Sequence, residues 1–122
     1  MEELFYAFLN NSVNKRGAMF GCGYANGYVA VPPSFRYHGK GYDDVEGVDI
    51  HGGLTFAESA QKVKERWGED VECIGFESLA EIPDNYWVFG FDTMHYDDGP
   101  HHDREWCINE TKSLMKQLMD LR

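Results

Sequence analysis

Four polar side chains stand at spacings that could do chemistry. Asp49 and His51 alternate onto one side of an extended run, and Asp92 and His95 lie three residues apart beyond an apolar run. On neighbouring strands these groups would converge at one sheet end. Imidazole and carboxylate together suit Zn, Mn or Fe, or metal-free acid/base work. The spacing permits either chemistry without dictating it, since no H-E-x-x-H or comparable motif is present. The same groups also serve as loop caps and carbonyl partners.

Three further segments bear on binding. Residues 35–42 interleave aromatics with cations: Arg36, Tyr37, His38, Lys40 and Tyr42. Aromatic faces beside cations suit stacking and phosphate contacts with a nucleotide-like ligand, although the same rings could simply tuck a loop onto a sheet. Gly52-Gly53 and Thr55 precede a helix signal, so backbone amides at a helix N-terminus could cradle an anion. His101-His102 with Asp97, Asp98 and Asp103 reads as a solvated patch ahead of the last helix. Cys22, Cys73 and Cys107 are an odd, widely spaced set without C-x-x-C, as expected of reduced, mostly buried thiols. No serine or cysteine sits in a nucleophile motif.

These residues need elements to position them. Residues 2–9 are apolar and aromatic and read as a short helix, with an edge strand as the alternative. Asn26-Gly27 between β-prone runs predicts a hairpin turn, and Pro32-Pro33 ends the second run. Residues 34–47 form a long polar and aromatic loop, of a length more often functional than idle. Residues 48–54 read as a strand. A helix is then predicted from a capping box at Thr55–Glu58, with a stripe of Phe56, Ala60, Val63 and Trp67 and a stop at Gly68. Residues 71–76 read as a strand. Residues 86–93 read as a strand, apolar on both faces through Phe91, which predicts a central position in the sheet. The last helix spans about 103–121, with a buried stripe of Cys107, Thr111, Leu114, Leu118 and Leu121. Together these predict one α+β domain over 1–122: an antiparallel or mixed sheet of about 4–5 strands with two helices packed on one face.

Islands of this pattern resemble a family of small uncharacterised phage and prophage proteins. They are Asn26-Gly-Tyr-Val-Ala-Val-Pro32, Gly39-Lys-Gly-Tyr-Asp-Asp44, His51-Gly-Gly-Leu-Thr55 and Trp87-Val-Phe-Gly-Phe-Asp92 with His95. Glu110, Leu114 and Gln117-Leu118 resemble the family's last helix. The chain departs from the family at Phe35-Arg36 and at residues 93–98. The resemblance implies a phage-related, cytosolic, accessory setting and no particular mechanism.

Charge narrows the function classes. The 122 residues carry 11 Lys+Arg against 21 Asp+Glu, a formal net charge of −10, with 43% hydrophobic and 15% aromatic residues. Such a composition folds. It opposes an extended nucleic-acid track and an acidic membrane surface, and no stretch is apolar for the length of a membrane span. The acidic start Met1-Glu2-Glu3 is unlike a signal peptide, which points to the cytoplasm. The expected function is binding of a small polar or nucleotide-like ligand. The expected pocket is lined by Arg36, Tyr37, Lys40, Tyr42, His51, Gly52, Gly53, Thr55, Trp87, Asp92 and His95. One alternative is a metal-dependent hydrolase using Asp49, His51, Asp92 and His95. The other is an acidic inhibitor of a basic host protein. No cofactor is assigned.

Overall fold

The computed structural model describes residues 4–10, 23–68, 71–93 and 101–122. Five strands form one antiparallel sheet: β1 (Tyr6–Asn10), β2 (Asn26–Val31), β3 (Phe56–Ser59), β4 (Val71–Ile74) and β5 (Trp87–Phe91). Their spatial order is β3-β5-β2-β1-β4. Two helices complete the fold, α1 (Ala60–Trp67) and α2 (Arg104–Asp120). The α+β class and the antiparallel sheet agree with the sequence, and β5 is an interior strand. Among the described residues, no helix is long and apolar enough to cross a membrane.

The helices differ from expectation in one respect: they lie on opposite faces. Strand residues alternate between two cores by the period of two. Ala7, Val29, Val31, Phe89 and Phe91 join Leu114 and Leu118 of α2. Phe8, Tyr28, Ala30 and Val88 join Ala60 and Val63 of α1. Covering both faces makes the middle strands apolar on both sides. That explains why residues 2–9 misled as a helix: β1 is an interior strand, and a strand buried on both faces lacks the alternation that identifies one.

Three other expectations are corrected. Asn26-Gly27 is not a turn but the start of β2, paired with Phe91 at Gly27. Glycine is needed there for close approach, because a Cβ at Gly27 would lie 2.2 Å from Thr111 Oγ1 and 2.4 Å from Phe91 Cε1. Residues 48–54 are not a ladder strand. Residues 56–59 are β3, not the first turn of a helix, because they pair with β5. The helix starts about one turn later, capped by Ser59, whose hydroxyl accepts from the Lys62 amide at 3.3 Å. Gly68 does end α1, with φ +55°. Asp103 caps α2 by accepting from Trp106 N at 2.9 Å.

The chain between β2 and β3 carries no strand or α-helix, and it works as a cover. Phe35 and Ile50 are buried in the α2-side core, with Tyr37, Val45, Val48 and Leu54 packed against it. α2 lies over β1 and β2, leaving the β5 side of that face to this connection. Side chains of α2 pin it. Gln117 accepts from Asp49 N at 2.7 Å and donates to Asp49 O at 2.9 Å, and Glu110 accepts from His51 N at 2.8 Å.

Candidate functional site

The residues singled out in the sequence fall at two ends of β5. At its start, the 35–42 loop turns on itself through Phe35 N to Pro32 O and His38 N to Phe35 O, both 3.0 Å. Phe35 is buried, with its ring edge-on to Phe5 at 5.8 Å and to Phe89 at 6.4 Å. Tyr37 is half-buried beneath Arg36, whose guanidinium lies 5.4 Å from the ring centre. His38 Nε2 donates to Asn85 O at 2.6 Å, and the Trp87 indole donates to Lys40 O at 2.9 Å. The aromatics therefore fasten the loop to the sheet. The Lys40 and Tyr42 side chains are exposed.

At the other end of β5, about 14 Å away at 3.4 Å per residue, lie His51, Gly52, Gly53, Thr55 and Asp92. The His51 ring packs on His102 at 4.9 Å and Trp106 at 5.0 Å, and His102 packs on His101 at 3.9 Å. Gly52 and Gly53 take φ of +68° and +79°, which a glycine turn requires. They lead into β3 and not into a helix, so the expected helix-terminus cradle does not form. Gly53 N instead donates to Ile50 O, and Thr55 N to Gly90 O, both at 2.9 Å.

Asp92 falls on the α1 side of the sheet by strand alternation, where its charge acts on Tyr28. Burial pushes the Tyr28 phenol up to about 12; a side-chain hydrogen bond with Asn26 works against this and Asp92 adds to it. His51 packs with α2 on the opposite side. The length of β5 therefore sets His51 and Asp92 at one end and Arg36, Lys40 and Trp87 at the other. Asp49 is exposed and is held through its backbone. His95, Asp97 and Asp98 lie outside the described residues. Among the described residues, no group of three or more His, Cys, Asp or Glu is placed to hold a metal ion.

A concave site exists elsewhere. On the α1 face, beside edge strand β4, a cavity of about 440 Å³ is lined by Lys64, Gly68, Val71, Cys73 and the run Glu77-Ser78-Leu79-Ala80. Its walls come from the last turns of α1, from β4 and from the 3-10 turn Leu79–Glu81. Glu81 fixes that turn: its carboxylate accepts from Glu77 N at 2.6 Å and Ser78 N at 3.1 Å. Lys64 Nζ donates to Ile82 O at 2.7 Å and pairs with Asp84, tying α1 to the far side of the turn. The Cys73 thiol is half-buried. Burial, and then the nearby Glu81 charge, push its pKa upward. Such a thiol stays protonated at neutral pH, a poor nucleophile but a good apolar wall.

None of the cavity's lining residues stood out as a site in the sequence. They come from three separated segments without a shared motif. The one local signal is Ser78-Leu-Ala-Glu81, the S-x-x-E pattern of a helical start, which marks the turn at the cavity mouth.

In comparisons with known proteins, no family, no curated protein and no solved structure matches the chain.

Proposed function

We propose that this protein binds a small ligand, and that the ligand sits in the cavity between α1, β4 and the 77–80 turn. The cavity itself carries the proposal. Its volume of about 440 Å³ lies within the span of small-molecule sites, roughly 300–1,000 Å³. Val71, Leu79, Ala80 and the Cys73 thiol offer an apolar floor, and Lys64, Glu77 and Ser78 offer a polar rim. That combination suits a ligand with an apolar body and a polar edge. The protonated thiol favours binding over covalent catalysis. The phage-type accessory setting belongs to the same proposal and rests on the sequence islands alone.

The test is a metabolite panel read by melting temperature and calorimetry, on the natural chain and on Ala80→Trp. Ala80 lines the cavity and is exposed on the turn, so an indole there is expected to obstruct the cavity without entering the core. The expected result is a saturable response in the natural chain that Ala80→Trp loses while keeping its fold. A panel without response, or equal binding by Ala80→Trp, overturns the proposal.

A further inference from the structure

The charges around this cavity define a ligand class. Among the described residues, Lys64 is its one lining cation, and that ammonium is already engaged by Asp84 and the Ile82 carbonyl. Glu77 is exposed on the rim, and among the described residues no cation pairs with its carboxylate. The Glu81 carboxylate takes two backbone amides, which are neutral donors, and among the described residues no cation pairs with it. That charge reaches the cavity wall, since the Cys73 thiol responds to it. The field at the mouth is therefore negative, over a floor of Val71, Leu79, Ala80 and Cys73.

We infer that the cavity takes an organic ammonium: a primary amine on an apolar body, with its nitrogen toward Glu77 and its carbon skeleton on the Val71–Leu79 floor. This inference rests on the cavity being the binding site. A concave low-dielectric wall strengthens the pull of a rim carboxylate on a cation. It equally repels phosphates and carboxylates, so a nucleotide is disfavoured here. The excess of acids over cations that gives the chain its net charge of −10 acts in the same direction at long range, while Glu77 supplies the specific contact.

Three probes of one skeleton test it: 2-phenylethylammonium, 2-phenylethanol and phenylacetate, titrated by calorimetry into the natural chain, Glu77→Gln and Ala80→Trp. The ammonium is expected to bind about tenfold tighter than phenylacetate, the effect of one charge pair near a protein surface. That gap is expected to shrink in about 0.5 M salt. Glu77→Gln removes most of it and leaves 2-phenylethanol unchanged. Phenylacetate binding as tightly as the ammonium overturns the charge inference alone, provided Ala80→Trp abolishes both. Probes that bind Ala80→Trp as well as the natural chain overturn the cavity reading beneath it. If no probe binds the natural chain, the ammonium inference falls, and the wider panel decides the cavity reading separately.

Discussion

The two faces of the sheet are closed by unequal means. On one, the 17 residues of α2 run about 26 Å, and the long connection from β2 to β3 covers what α2 leaves bare. Gln117 and Glu110 lock the two covers together. On the other, the 8 residues of α1 run only about 12 Å. Five strands place their outer members about 19 Å apart. A helix of that length, starting at the end of β3, cannot also seal the edge at β4. The cavity lies at that edge. The dry part of the same face lies further in, where Trp67 packs on Tyr28 at 4.7 Å and on Phe56 at 5.3 Å. A concave site arises here from a short helix, without any motif to announce it.

The largest way to break this contrast is to push the tight face apart. Gly27→Ala places a methyl group inside contact distance of Thr111 and Phe91, and overpacking of this kind costs about 3 kcal/mol. Urea denaturation measures it, and part of the loss should return in a Thr111→Ala background. An unchanged midpoint would show that α2 is not closely seated on β2.

The second probe asks how dry the α1 face is. Tyr28 has a folded pKa of about 12 against an ordinary value of 10.0. A raised folded pKa contributes stability that is complete below pH 10 and is lost as pH rises through 12. The natural chain should thus lose between about 2 and 3 kcal/mol more than Tyr28→Phe across that window. Parallel alkaline melts of the two proteins check it; identical curves would mean that water reaches the phenol.

The smallest effects sharpen the contrast at the surface. Gln117→Ala removes both bonds to Asp49 and should cost about 1 kcal/mol. Ala80→Trp, on the open face, should stay within about 0.5 kcal/mol of the natural chain. A reversed order in thermal melts would mean that the cavity is structural and the clamp is not.

What the sequence disclosed follows the range of the forces involved. The stripe Cys107, Thr111, Leu114 and Leu118 and the Asp103 cap are local, and α2 lies within a residue or so of its expected limits. Pro32-Pro33 and Gly68 stop their elements for equally local reasons. Gly27 was misread because the neighbours that demand a glycine, Phe91 and Thr111, are 64 and 84 residues away. Thr55-x-x-Glu58 is a genuine helix-start pattern, but pairing of residues 56–59 with β5 outcompetes it. The expected pocket residues were placed along the length of β5, because loop direction is not encoded in periodicity. The cavity depends on the gap between a helix length and a sheet width, a quantity that no single residue carries.

The Gln117 clamp has a consequence for how freely the chain can vary. A carboxamide that meets both the N–H and the C=O of Asp49 imitates one rung of a sheet. It reads only the main chain, as Glu110 does at His51 N. The identity of side chain 49 is therefore irrelevant to anchorage. The acidic character of that stretch is a separate layer, which can be rewritten for solubility or for a partner while the latch beneath it stays shut.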